Sequence, residues 1–270
     1  MRRRKRPTRP EKIGRAVHAN AGIEAAYRKK MRSLINEMSR SYVYWIKACY
    51  RQHEPKMAMD ATPAVQLQRT MSQLGRYWLK RFREASPKLA AHFAKSVSKQ
   101  SDAALRKILK DAGFSVEFKI TPELRDVMTA SINENVSLIK SIQQQYHTQI
   151  EGSVMRSVQI GRDLDGLTKE LQRHHHVSFD RAKFIARDQN NKATAALQKA
   201  RQTDLGLKQG IWLHSHAGKV PRKTHLANHG HRFNIAEGWF DPDPKVRKHI
   251  MPGELVNCRC VWRVVIPGLT

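Results

Sequence analysis

Hydrophobic residues recur every three or four positions through most of the first 205 residues, a period that predicts amphipathic helices. The first helix is expected over residues 19–50. A second fits residues 63–85, because proline is well tolerated in a first helical turn. Ser86-Pro87 is expected to start a third helix, and residues 105–113 a shorter fourth. Residues 52–62 are interpreted as a connector.

Residues 114–120 alternate strictly between apolar and polar side chains, which predicts a strand. Thr121 is expected to cap a long helix that has Pro122 in its first turn and runs almost to Gly161. Two further helices are expected at 164–172 and 178–203. The triple histidine between them is interpreted as a solvated helix end.

After Gly206 the pattern changes, since glycine, proline, tryptophan and histidine become frequent and short apolar runs replace the helical period. The sequence therefore predicts a mainly α protein with a small α+β C-terminal module, whose final strand begins at the cysteines. The expected regions are a basic disordered tail (1–18), a basic helical N-terminal region (19–120), long helices (121–205) and the compact C-terminal module (206–270).

Positive charge is concentrated near the N-terminus. The net charge is +27, and residues 1–100 contain 24 Lys and Arg against 6 Asp and Glu. Such an excess favours a polyanionic partner, because neutralised phosphates release counterions. A solvated face and an acidic protein partner are the alternatives. The candidate residues for non-specific contact with double-stranded DNA are Arg2, Arg3, Arg4, Lys5, Arg6, Lys29, Lys30 and Arg32.

The composition argues against a membrane-spanning segment and against a disulfide framework. No run of about 18 apolar residues occurs, so we expect no membrane-spanning segment. Three cysteines in 270 residues argue against a disulfide framework and for a reducing compartment.

Two of the three cysteines, Cys258 and Cys260, follow a pair of histidines, His225 and His229, that are four residues apart. If the histidines share a helical turn and the chain turns at the cysteines, the four side chains can hold one metal ion. Four protein ligands predict a structural zinc site rather than a catalytic one. The alternative is that the cysteines are packed strand residues and the histidines donate hydrogen bonds.

No common catalytic motif is present. The His-Glu-x-x-His pattern of zinc proteases and the Pro-Cys-x-x-Cys pattern of zinc deaminases are both absent. A metal-dependent nuclease of phage packaging or defence stays open, with His225, His229 and the nearby Asn228, Asn234 and Asn257 as its candidate residues.

The same stretch resembles the phage Mu F-like minor head protein family, also called phage head morphogenesis proteins. The resemblance covers about residues 125–266. One departure is that the acidic residue expected after the Ala-Arg pair is shifted by one position, to Asp188. The matching residues are Ala186, Arg187, Trp212, Arg222, His225, Gly230, Pro252, Gly253, Cys258, Arg259 and Cys260.

The resemblance implies a non-enzymatic virion component that associates with the portal vertex inside the head and acts in head assembly and DNA delivery. Its implied partners are the portal protein, the major capsid protein, or both, and packaged DNA. It would pass through the host cytoplasm during assembly. A third hypothesis is a portal-bound adaptor without DNA contact, whose charge complements an acidic partner.

Overall fold

The computed structural model describes residues 10–52, 63–161, 163–217 and 220–268. Over these residues the chain is mainly helical and has a small β-containing C-terminal region, which confirms the predicted fold class. The elements are β1 (Lys12–Ala16), α1 (Ala21–Gln52), α2 (Pro63–Asp111), α3 (Pro122–Gln159), α4 (Leu164–Asp204), β2 (Gln209–Leu213), α5 (Lys223–Ala227), β3 (Arg232–Asn234), β4 (Trp239–Asp241), β5 (Lys248–Ile250) and β6 (Val261–Ile266).

The chain divides into two compact units. The helical unit contains residues 24–92 and 132–186, and the mixed unit contains the residues up to Ile23, 93–131 and from Arg187 onward. The sequence predicts a compact module that starts at residue 206. The mixed unit is larger, because it also includes helical segments that precede this position. The reason is its core, in which Leu105, Leu109 and Ala195 are buried with strand residues such as Trp212 and Val264.

The main sheet of the mixed unit has the strand order β1-β6-β2-β3, and all of its neighbours are antiparallel. Strand β1 pairs with β6, so residues 12–16 are a sheet edge and not part of the predicted tail. A Cβ on Gly14 would lie 2.6 Å from the Ile108 side chain, so close packing of β1 requires glycine there. The rest of the predicted tail, residues 1–9, and the connector at 53–62 lie outside the described residues.

The core of the helical unit contains hydrogen-bonded tyrosines. The Tyr27 hydroxyl donates to Asn135 Oδ1 at 2.8 Å, and the Tyr146 hydroxyl donates to Ser39 Oγ at 3.0 Å. Burial raises the pKa of Tyr27, and it raises the pKa of Tyr146 to about 12. Each of these bonds joins a residue of α1 to a residue of α3, so the polar groups buried between the two helices are paired.

Helix α2 is continuous through Pro87, so the predicted break at Ser86-Pro87 is wrong. Pro87 has no backbone N–H for the Arg83 carbonyl, and the Ser86 hydroxyl just before it donates to the Phe82 carbonyl within the helix. Trp78, Phe82 and Ala90 are buried on one face across this point. Packing on that face outweighs the local cost of the proline.

Replacing Pro87 with alanine is expected to stabilise the protein. Pro87 is exposed and inside a helix, where proline is about 3 kcal/mol less favourable than alanine. We expect the free energy of unfolding to rise by about 1–3 kcal/mol in urea titrations. Lys88→Ala, at an exposed neighbour, serves as control and is expected to stay within about 0.5 kcal/mol. No gain in the Pro87 variant would mean that the proline bend is needed for packing.

Helix α4 is likewise continuous through the triple histidine, so the predicted helix end there is wrong. His174 is buried and lies 3.3 Å from Ser153 Oγ, and His175 Nε2 lies 2.9 Å from Asn36 Oδ1. Burial lowers the pKa of both histidines. These two histidines pack within the helical unit. The spacing of hydrophobic residues alone does not distinguish such buried histidines from the polar residues of a helix end.

Side chains of residues 114–119 alternate between half-buried and exposed, as predicted, but the segment forms no strand. Phe114, Val116 and Phe118 are partly buried against the mixed-unit core, while the residues between them face solvent. Arg201 anchors the segment, because it donates to the Lys119 carbonyl and its guanidinium lies 5.0 Å from the centre of the Phe118 ring. The alternation therefore reflects side-chain packing without a partner strand.

Candidate metal centre

Three potential metal ligands converge in the mixed unit. The ligand atoms of His225, Cys258 and Cys260 lie within 4.8 Å of one another, and all three residues are buried. His225 Nδ1 is 3.5 Å from Cys258 Sγ and 3.7 Å from Cys260 Sγ. One imidazole nitrogen and two sulfur atoms are a donor set that suits Zn²⁺.

The local sequence explains why both thiols face the same side. Cys258 and Cys260 are two residues apart in an extended segment just before β6, and such residues share a face. The final strand begins at Val261, so the cysteines precede it. A turn brings the segment into place, with positive φ angles of 86° at Gly253 and 61° at Asn257. The Gly253 N–H also donates to Cys258 Sγ at 3.4 Å.

Asp241 orients the histidine. Its side chain is completely buried, and its Oδ2 lies 3.1 Å from His225 Nε2. A carboxylate can only accept, so Nε2 carries the hydrogen and the Nδ1 lone pair is directed at the two thiols. A carboxylate bonded to the outer nitrogen of a ligand histidine is the usual supporting arrangement of zinc sites.

Aromatic rings surround the imidazole and keep water away from it. The centre of the fully buried Trp212 ring lies 5.1 Å from that of His225, and the Trp239 ring lies at 6.3 Å. The Trp212 Nε1–H is buried without a hydrogen-bond partner, and its position beside the Cys260 thiol favours the ionised form of that thiol. Apolar walls of this kind limit solvent access and strengthen charge-dependent contacts at the cluster.

The two thiols shift each other's pKa in opposite directions. A hydrogen bond from the Cys260 thiol lowers the pKa of Cys258, although burial opposes this shift. The same hydrogen bond and burial raise the pKa of Cys260 far above its ordinary value. A cation bound between the two sulfur atoms would favour the ionised form of both thiols.

His229, the fourth ligand in the sequence-based set, is outside the cluster. Helix α5 ends at Ala227, so His225 and His229 do not share a helical face. His229 is exposed, and its Nδ1 accepts a hydrogen bond from the backbone N–H of His214 at 3.0 Å. The candidate asparagines do not converge either, because Asn234 caps its own turn and Asn257 accepts from Arg187.

The remaining motif residues hold the loops that present the ligands. Arg222 donates to the Val256 carbonyl at 3.0 Å, and Arg259 donates to the Ala217 carbonyl at 2.9 Å. Gly230 has a φ of 84°, and its N–H donates to the Trp212 carbonyl. Pro252 is buried in the turn that precedes the cysteines. These contacts give the motif a positioning role.

The Arg187-Asp188 pair fixes the turn just before Cys258. Asp188 is buried, accepts from the Asn257 N–H at 2.7 Å and pairs with Lys192 at 3.0 Å. Arg187 donates to Asn257 Oδ1 at 3.2 Å. The shifted acid therefore has a structural role here, because it holds the turn that precedes Cys258.

The candidate DNA-contacting residues that the structure describes lie on α1, in the helical unit. Lys29, Lys30 and Arg32 are exposed, and the Arg32 guanidinium lies 4.3 Å from the centre of the Phe179 ring. Residues 2–6 fall outside the described residues. No described helix is long and apolar enough to cross a membrane.

Sequence reasoning missed two residues of the site. Asp241 lies 16 positions from His225 and belongs to no recognisable spacing. His214 follows β2 and is buried on the same side as Trp212, because residues two apart in a strand share a face. The one available signal was the density of histidine and tryptophan after Gly206.

Comparison with known proteins finds a similar family. An uncharacterized protein of Haemophilus influenzae is 27% identical over 254 residues, which cover 91% of this chain and 54% of the relative. The chain thus spans about half the length of that relative. No solved structure matches. Residues 148–263 match the family model described as Phage Mu protein F like protein. Over these residues the chain is similar to the Phage Mu protein F like family, which confirms the resemblance that Arg222, His225 and the Cys-Arg-Cys pattern carry.

Proposed function

We propose that this chain is a minor head protein of a tailed bacteriophage that lies inside the head near the portal and contacts packaged DNA without reading its sequence. Similarity to the family supports the role in head morphogenesis. The observation that carries the DNA contact is the concentration of positive charge on two helices. The portal protein, the major capsid protein, or both are the expected protein partners.

That charge is confined to part of the helical chain. Helix α1 contains seven Lys and Arg against two acidic residues, and α2 contains eleven against three. Helix α3, of similar length, has three against four. An excess on α1 and α2 is typical of a surface that neutralises phosphates, since phosphate contacts position a protein without specifying sequence.

A nuclease is the alternative, and the metal centre does not favour it. All three clustered ligands are buried. A catalytic metal needs an open position that a substrate can reach. The buried cluster suits a structural role, and we assign no catalytic residue.

DNA contact is testable by measuring affinity against salt concentration. We expect the full chain to bind duplexes of unrelated sequence equally, with affinity that falls steeply as salt rises. Replacing Lys29, Lys30 and Arg32 together with alanine is expected to reduce the salt slope by up to about 3, since each phosphate contact contributes about 1. The readout is fluorescence anisotropy of a labelled duplex.

The matched control removes the same charge from the mixed unit, by replacing the exposed Lys208, Lys223 and Lys245 with alanine. We expect this variant to keep most of the salt slope. Equal losses in both variants would mean that only net charge matters. Absence of DNA binding at low salt would contradict the proposed contact and favour an adaptor that binds an acidic protein.

A further inference from the structure

The buried His-Cys-Cys cluster has three ligands, and a closed structural zinc site needs a fourth. The chain that follows β2 runs past Cys260, because the antiparallel register of β2 and β6 pairs Trp212 with Trp262 and Leu213 with Val261. His214 is the buried histidine of this stretch. Its Nδ1 accepts from the His216 N–H at 3.2 Å, which leaves Nε2 available as a ligand atom.

His214 also lies on the correct side of the sheet. Trp212 and His214 are two residues apart and both buried, and the Trp212 ring contacts His225 directly. The side chain of His214 therefore extends toward the cluster, although it is not among the atoms within 4.8 Å. The 214–217 segment has to move toward the cluster for His214 to complete a tetrahedron.

We propose that His225, Cys258 and Cys260 bind one structural zinc ion and that His214, not His229, is the fourth ligand. Asp241 then acts as a positioning residue that holds the His225 ring. The ion links three segments that are distant in sequence, namely the end of β2, helix α5 and the start of β6. This assignment does not depend on DNA contact and concerns the stability of the mixed unit.

The test uses the full chain, purified under reducing conditions from zinc-supplemented cells and analysed for metal by mass spectrometry. We expect about one zinc per chain, as for a Cys2His2 structural site. Cys258→Ser and His214→Ala are expected to lose most of it, and Cys49→Ser and His229→Ala to retain it. Cobalt substitution of the wild-type chain is expected to give the absorption of a tetrahedral ion with two thiolates.

Because removal of a ligand can prevent folding, Asp241→Asn provides a second readout. This change keeps the volume and weakens only the support of His225, so zinc affinity in a chelator competition is expected to fall by about 10–100-fold. A folded wild-type chain without zinc would overturn the site. Zinc lost in His229→Ala but kept in His214→Ala would overturn the choice of fourth ligand. Unchanged melting after chelation would show an adventitious ion only.

Discussion

His225→Ala is expected to lower the free energy of unfolding by about 3–5 kcal/mol, even with excess chelator present. The reason is Asp241, whose completely buried carboxylate accepts from His225 Nε2. Without the imidazole this group loses its side-chain partner, although Oδ1 still accepts from the Asp243 N–H. Leaving a buried charge without its partner costs more than the pair contributes.

Urea-induced unfolding of both proteins, followed by circular dichroism, measures this loss. The matched control is His231→Ala, at an exposed histidine of the same unit, which is expected to stay within about 0.5 kcal/mol. The chelator separates the contribution of the hydrogen bond from that of a bound metal ion. Equal stability of the two variants would mean that Asp241 finds another partner and that the pair is not structural.

Trp212→Ala is the second change with a large expected effect, a loss of about 3–5 kcal/mol. The Trp212 side chain is fully buried, and its ring centre lies 5.3 Å from that of Trp239 and 6.0 Å from that of Phe233. Truncation leaves a cavity between the sheet and the His-Cys-Cys cluster that its neighbours cannot fill without moving. The indole N–H beside Cys260 is removed as well.

The measurement is again urea-induced unfolding, with Trp45→Ala as the control. Trp45 is 51% exposed and lies in the helical unit, so we expect its truncation to cost much less than that of Trp212. A loss of similar size in both variants would contradict the assignment of Trp212 to the centre of the mixed-unit core.

Regular patterns in this sequence predict the structure well where one face of an element is buried. Helix α1 follows from the spacing of its apolar residues, and Thr121 caps α3 as expected, since the Leu124 N–H donates to its hydroxyl. The predicted helix break at Pro87 is wrong, because packing of the buried helix face outweighs the local cost of a proline inside a helix. Strand β1 was missed because five residues at a sheet edge carry too little alternation.

The candidate site was predicted in part. The sequence places His225, Cys258 and Cys260 in one metal-binding set, and the structure brings these three together. His229 was included because a four-residue spacing suits a helix, but α5 ends two residues before it. The positions of Asp241 and His214 relative to the cluster depend on the pairing of segments that are distant in sequence. That pairing is set by the sheet and cannot be derived from spacing along the chain.

The central claim is that this protein is a component of a phage head. The most direct test is quantitative mass spectrometry of DNA-filled heads purified from a lysate of the phage that encodes the chain. We expect the protein to stay with heads after washing in high salt, and heads made without it to be defective in assembly or DNA delivery. Absence of the protein from purified heads, with normal heads formed when its gene is deleted, would contradict the claim.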